Sequence, residues 1–260
     1  MRRLIVVLLI CLPSFVWSQT STPQPAPTSD PQALSLVQQS VGALTRGATI
    51  SDVTLNANVT SILGSDYETG TGTFQAKGTA ESRMNLSLSG GTRSEVRNLT
   101  NGLPSGAWQI NTGAVTAFAH HNCFTDAAWF FPALSSLVQN ANSTFIFKYV
   151  GLEQHGGVNT QHVRVFQVAP NTLFQHLSKM DFFLDPASFL PLAIVAPVHP
   201  DLDASTDIPS EIRFANYQSV NGVLVPFHFQ RLLNGGVVLD VNVTSATFNT
   251  GLSDRIFSLP

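Results

Sequence analysis

The chain has 260 residues, of which 43% are hydrophobic and only 11% are charged, and its formal net charge is −3. Its 13 basic residues are scattered along the sequence, so it lacks the basic surface that nucleic-acid binding requires. This composition is typical of a large apolar interior beneath an uncharged polar surface, and we expect no nucleic-acid partner.

Residues 1–18 have the features of a secretory signal peptide. Arg2 and Arg3 precede an apolar run, and Ser18 places a small side chain where a signal peptidase cuts. We therefore predict export to the periplasm or to the cell exterior. The apolar run is shorter than the roughly 20 residues of a membrane-spanning helix, so an uncleaved anchor is the less favoured alternative.

The two cysteines exclude a disulfide in the mature chain. Cys11 follows Ile10, where a lipoprotein signal carries a small residue, so we expect Cys11 to be removed with the signal peptide. Cys123 is then the one remaining cysteine. Its neighbour Phe124 favours the role of a small buried hydrophobic side chain.

The mature chain begins with a predicted linker and a predicted helix. Residues 19–29 are rich in Pro, Ser and Thr and predict a flexible linker. Residues 30–260 are predicted to form a single β-domain. Asp30 and Pro31 predict the start of a helix, with Asp30 as its N-cap, and Gly47 predicts its end. The apolar face of this helix consists of Leu34, Val37, Val41 and Leu44.

From residue 48 onward the apolar residues alternate with polar ones, which predicts short strands in an antiparallel meander. A segment from Cys123 to Asn142 interrupts this pattern. Trp129, Phe130 and Phe131 stand directly before Pro132, which predicts a kink or two short helices. Because three exposed aromatic rings would form an unfavourable patch, we expect them to face the interior or a ligand.

The last 54 residues, 207–260, predict three long antiparallel strands. Asn221 with Gly222 and Asn234 with Gly235 predict the two hairpins, because both central positions of a type I′ turn need positive φ. Pro226 cannot donate a hydrogen bond within a sheet, so it predicts a bulge or a sheet edge inside the second strand.

Two weak metal motifs are present, whereas the common catalytic motifs are absent. His120 and His121 would lie on opposite faces if they ended a strand, and they could ligate one ion only if the backbone turned there. A metal-dependent hydrolase at this pair is the least favoured reading. The spacing of Asp201, Asp203 and Asp207 resembles a calcium loop, but the loop lacks its central glycine, and a solvated acidic loop is favoured. We predict no metal site and no cofactor.

The fold class predicted is mainly β: a curved antiparallel sheet or incomplete β-barrel, covered by the N-terminal helix and by a mid-chain helical lid. The space beneath the cover is either a packed core or a hydrophobic cavity that binds lipid. The predicted lipid-binding residues are Leu34, Val37, Val41, Trp129, Phe130, Phe131, Phe145, Phe147, Phe227 and Phe229.

The order of these elements resembles the LolA/LolB superfamily of periplasmic lipoprotein-sorting proteins. The resemblance is carried by the run Phe-Phe-Leu-Asp-Pro from Phe182, by Phe-Ala-Asn-Tyr-Gln-Ser-Val-Asn-Gly from Phe214, and by the closing Phe-Ser-Leu-Pro from Phe257. It implies an incomplete barrel with a helical lid over a cavity that holds acyl chains. The arginine that controls the lid in that superfamily has no clear counterpart, since Arg46 ends the first helix.

The expected function is non-enzymatic binding of lipid or of the acyl chains of a lipoprotein, by a monomer. The expected partner is therefore a lipid or an acylated protein. The alternative is an envelope interaction or sensor module with a solid core, which would bind a protein partner instead.

Overall fold

The computed structural model describes residues 28–138, 144–168 and 171–259. The predicted signal peptide, and all but the last two residues of the predicted linker, lie outside the described residues. The described helices are α1 (Pro31–Thr45) and α2 (Thr172–Leu177). The strands are β1 (Asp52–Leu63), β2 (Asp66–Lys77), β3 (Glu81–Leu88), β4 (Gly91–Thr100), β5 (Leu103–Ile110), β6 (Thr116–Ala117), β7 (Phe145–His155), β8 (Val158–Gln167), β9 (Met180–Leu184), β10 (Pro191–Val198), β11 (Ile208–Val220), β12 (Val223–Leu233) and β13 (Gly236–Phe248).

All of these strands belong to one open, curved antiparallel sheet, as predicted. The order across the sheet is β6-β5-β4-β3-β2-β1-β13-β12-β11-β10-β9-β8-β7. Two meanders, β1–β6 and β7–β13, are thus joined in the middle by pairing of the first strand with the last, with Val53 opposite Phe248. Within the described part of the chain, β6 and β7 end the sheet and do not pair with each other.

The three C-terminal strands and their two turns form as predicted. Asn221 and Gly222 have φ of 50° and 88°, and Asn234 and Gly235 have φ of 48° and 80°. These positive values are what a type I′ turn needs, which explains the choice of Asn and Gly.

Pro226 lies in the part of β12 that pairs with a neighbouring strand on one side only. It stands opposite Tyr217 of β11, whereas the pairing of β12 with β13 begins only at His228. The part of β12 that contains the proline therefore behaves as a local edge, where a missing N–H leaves no hydrogen bond unmade. This agrees with the predicted edge.

Helix α1 covers the concave face, but two details differ from the prediction. Its fully buried residues include Ala33, Leu36 and Ser40, whereas the predicted Leu34 and Val41 are half-buried. The buried face is wider than a single stripe because the helix packs on β7, on β12 and on the segment after β6.

Asp30 does not cap the helix with its side chain, although it occupies the N-cap position. Its carboxylate instead accepts from the Tyr149 N–H (3.1 Å) and pairs with Lys148 (3.1 Å). The Asp30 N–H also donates to the Phe147 carbonyl (2.8 Å), and the Phe147 N–H donates to Ser29 Oγ (3.1 Å). Ser29 and Asp30 therefore satisfy the outward backbone groups of the edge strand β7.

Residues 118–138, which we call the strap, run from β6 towards β7 over the concave face. The predicted mid-chain helices are short 3₁₀ turns, Pro132–Leu134 and Ser136–Val138, and residues 139–142 of the predicted segment lie outside the described residues. Pro132 opens the first turn because it needs no N–H partner there. His120 and His121 lie in a third 3₁₀ turn, His120–Cys123, and not at the end of a strand.

Candidate functional site

All ten residues predicted to line the interior belong to one apolar cluster beneath α1 and the strap. Phe130, Phe131, Phe147 and Phe229 are completely inaccessible to solvent, and Val37 is 4% exposed. The other five are half-buried and pack against the same cluster: Leu34, Val41, Trp129, Phe145 and Phe227. The pattern of the sequence thus identified residues that do come together, whatever they bind.

The strap fills the centre of the concave face with aromatic rings. The ring of Phe74 on β2 lies 6.3 Å from Trp129, 5.4 Å from Phe130 and 5.3 Å from Phe229, measured between ring centres. Such edge-to-face and tilted contacts stabilise beyond the area they bury. Phe74 was absent from the predicted lining, although its place in the alternating pattern of β2 points it inwards.

A charged pair flanks the aromatic cluster. The Arg231 guanidinium lies 5.2 Å from the centre of the Trp129 ring, and its Nη1 is 3.4 Å from a Glu95 carboxylate oxygen. The cation thus lies between the face of a ring and a carboxylate. Both groups attract the positive charge and stabilise it at a partly buried position.

Asp126 is a buried carboxyl group inside the strap. Its Oδ2 accepts hydrogen bonds from the Ser136 N–H (2.8 Å) and hydroxyl (3.1 Å). Burial raises the pKa of Asp126 to about 6, while these bonds and the charge of Arg97 act in the opposite direction. A buried carboxyl with a pKa near neutrality is a feature of functional sites, and sequence alone gave no sign of its burial.

Two small hollows lie on either side of the strap at Asp126. One has a volume of about 160 Å³, and the other about 60 Å³. Both are bordered by Arg97, Thr125 and Asp126, so the strap itself divides them. Cys123 borders the larger hollow; it is buried, as predicted, and burial raises the pKa of its thiol.

The residues of the two weak metal motifs contact different partners. His120 packs on Phe124, with 4.9 Å between ring centres, whereas Nε2 of His121 lies 3.0 Å from the Pro200 carbonyl oxygen. In the acidic loop, Asp203 accepts from Ser205 and Thr206 of its own turn. Asp207 faces His176 and His199, two histidines that the sequence did not single out.

Among the described residues, no helix is long and apolar enough to cross a lipid bilayer. No known protein family matches the sequence, and neither does any curated protein.

Solved structures, in contrast, match over most of the chain. A domain from Vibrio parahaemolyticus, named for outer membrane lipoprotein sorting, superimposes with a TM-score of 0.56 at 14% identity, over 87% of this chain and 96% of the other. A DUF1329 family protein from Desulfovibrio piger superimposes with a TM-score of 0.52 at 12% identity, over 87% and 96%. A LolA superfamily protein from Nitrosomonas europaea gives 0.49 at 10% identity, over 87% and 97%. The two structures with TM-scores above 0.5 confirm the predicted resemblance at the level of the fold.

Proposed function

We propose that the protein is a non-enzymatic, monomeric carrier of the cell envelope that binds lipid acyl chains, free or attached to a protein, beneath α1 and the strap. The observation that carries the proposal is that the centre of the concave face is filled by the strap and not by strands closing on each other. Phe130 and Phe131 are completely buried, yet they belong to a segment with little regular secondary structure. The fold likeness to a domain named for lipoprotein sorting supports the same function.

The volumes beside the strap indicate a closed state. Pockets that bind small ligands commonly measure about 300–1,000 Å³. The hollows of about 160 and 60 Å³ are below this range, so an acyl chain that binds beneath the strap needs the strap to move outwards. Its aromatic rings would then vacate the space that the acyl chain occupies.

The part of the strap from Asp126 onward is held mainly by its apolar side chains, whereas hydrogen bonds such as those between Asn122 and His199 hold its first part. The backbone of its central part makes a bond from the Ala127 N–H to the Thr79 carbonyl (3.2 Å) and one from the Asp126 N–H to the sulfur of Met180 (3.3 Å). Burial of an aromatic side chain contributes about 3 kcal/mol, and burial of one methylene about 0.8 kcal/mol. An acyl chain of about twelve methylenes therefore offsets the exposure of three strap rings.

Uptake of a fluorescent fatty acid and of a triacylated lipopeptide by delipidated protein tests the proposal. We expect both probes to bind, and we expect Phe130→Ala to bind them about tenfold to a hundredfold more tightly, because less burial is lost when the strap opens. Phe257→Ala is the matched control, since Phe257 is equally buried but lies outside the interior cluster. If neither the wild-type protein nor Phe130→Ala takes up either probe, lipid binding is wrong.

A second candidate function follows from the same packing. If the strap does not open, the aromatic cluster is a solid core, and the protein acts as an envelope module that binds another protein. Native mass spectrometry of protein purified from envelopes separates the two functions, because a carrier retains lipid, whereas an interaction module is lipid-free and retains a protein partner in pull-down experiments.

A further inference from the structure

Three potential metal ligands converge at one end of the sheet, outside the apolar cluster. His176 comes from α2, while His199 and Asp207 border the loop between β10 and β11. Nε2 of His176 lies 2.8 Å from Oδ1 of Asp207, and Nε2 of His199 lies 3.1 Å from the same oxygen. The three ligand atoms all lie within 4.8 Å of one another. Both histidine nitrogens thus face one carboxylate oxygen, and the three atoms are near enough to one another to bind a single ion.

Each of the two ring nitrogens of His199 faces an oxygen atom that can accept a hydrogen bond. Its Nε2 faces Asp207, and its Nδ1 faces Oδ1 of Asn122 at 3.3 Å. The orientation of the Asn122 amide is fixed, because Oδ1 accepts from the His199 N–H (2.8 Å) and Nδ2 donates to the His199 carbonyl (2.8 Å). A neutral imidazole carries one N–H and can satisfy only one of the two oxygens.

A cation beside Nε2 resolves this conflict. With the ring proton on Nδ1, directed to Asn122, the Nε2 lone pair and the Asp207 carboxylate face each other with no proton between them. A metal ion there would attract both atoms. The His199 side chain is only 1% exposed, so bulk water has little access to its Nε2 atom. A histidine ligand whose other ring nitrogen donates to a fixed acceptor is the usual arrangement in metal sites.

We propose that His176, His199 and Asp207 bind one zinc ion through the two Nε2 atoms and the carboxylate. Two imidazoles and one carboxylate are a ligand set that suits zinc, and the hard cations calcium and magnesium prefer oxygen ligands. The side chains of His176 and Asp207 are 33% and 40% exposed, which gives the ion access from solvent and leaves room for a water ligand. The site lies outside the predicted lipid-binding residues, so it stands independently of lipid binding.

The position of Asn122 gives zinc a structural consequence. Asn122 lies in the strap and is bonded to both the N–H and the carbonyl of His199. An ion that fixes His199 would therefore also stabilise the attachment of the strap to the loop after β10. Zinc is expected to raise the thermal stability of the folded protein, because an ion that binds only the folded state stabilises it.

Calorimetric titration of tag-free, metal-stripped protein with zinc chloride at neutral pH tests the proposal. The expected result is one zinc ion per chain with a dissociation constant in the micromolar range or below, and at least a hundredfold loss of affinity in His176→Ala. Asn122→Ala removes the hydrogen-bond partner of a ligand and is expected to weaken binding about tenfold. His228→Ala is the matched control, because His228 forms a similar pair with Asp240 (3.2 Å) away from the cluster.

Three results would overturn the zinc site: no saturable binding to the wild-type protein, equal binding by His176→Ala and the wild type, or equal weakening by His176→Ala and His228→Ala. The midpoint of thermal unfolding, measured with and without zinc, gives an independent readout. It should rise in the wild type and stay unchanged in His176→Ala. Because the His176 side chain is partly exposed, its removal should leave the protein folded. A failure of lipid uptake would leave these results unaffected.

Discussion

Asp126→Asn tests whether ionisation of one buried carboxyl opposes folding of the strap. Burial raises the pKa of Asp126 from 3.8 to about 6, so the folded protein holds this proton to a higher pH than the unfolded chain does. The favourable contribution of the protonated group is fully present below about pH 4 and is lost as the pH rises through about 6. The difference between the two pKa values corresponds to about 3 kcal/mol.

We expect the wild-type protein to lose up to about 3 kcal/mol of unfolding free energy through this group between about pH 4 and about pH 7.5. Asp126→Asn cannot ionise, so its stability relative to the wild type should rise by a similar amount over the same range. Urea unfolding at several pH values measures this difference. Asp66→Asn, at an exposed position at the start of β2, is the control. Its unfolding free energy should change with pH in the same way as that of the wild type.

The explanation would be refuted if the wild type and Asp126→Asn changed in parallel between these pH values. If the pKa of Asp126 controls the strap, the fluorescent fatty acid should also bind the wild type faster above pH 6 than below it. In Asp126→Asn this pH dependence of the uptake rate should be lost.

Three further predictions concern packing. Gly70→Ala should reduce the unfolding free energy by several kcal/mol in urea titrations, because the added Cβ would lie 1.9 Å from the Ser87 carbonyl oxygen of the neighbouring strand. Gly42→Ala should instead raise it by about 1 kcal/mol, because a Cβ there meets no atom within 4 Å and alanine favours the helix; a decrease would contradict the helix placement. Arg231→Ala should lower stability by about 1–2 kcal/mol and change the fluorescence of Trp129, and an unchanged spectrum would show that the ring contact is absent in solution.

The strands were predictable from the sequence because their signals are local. Alternation places Phe74 and Phe229 on the concave face, and the Asn-Gly pair at Asn221 encodes its own turn. The place of the ten predicted residues in the apolar cluster follows for the same reason, since an apolar stripe or run needs a buried surface. The physical rules behind these predictions are short-range: the period of two in a strand, the spacing of three to four residues in a helix, and the burial of an apolar run.

The path of the strap could not be predicted, because it depends on contacts between distant residues. Only the fold shows that Asp126 is buried against Ser136, ten residues further along the chain. The convergence of His176, His199 and Asp207 is of the same kind, because the two strands β9 and β10 separate His176 from the loop that carries the other two residues. Neither group has a spacing that a local motif would reveal.

The pairing of β1 with β13 has a consequence for how the chain acquires its structure. Of the strands that the structure describes, the two in the middle of the sheet are the first and the last to be synthesised, so each meander can form its hairpins before the two are joined. Long-range pairing of this kind slows folding and prolongs the exposure of apolar surface. A chain that lacks β13 would leave β1 and β12 as two unprotected apolar edges. Truncation before Gly236 should therefore yield an aggregating protein and not a smaller folded one.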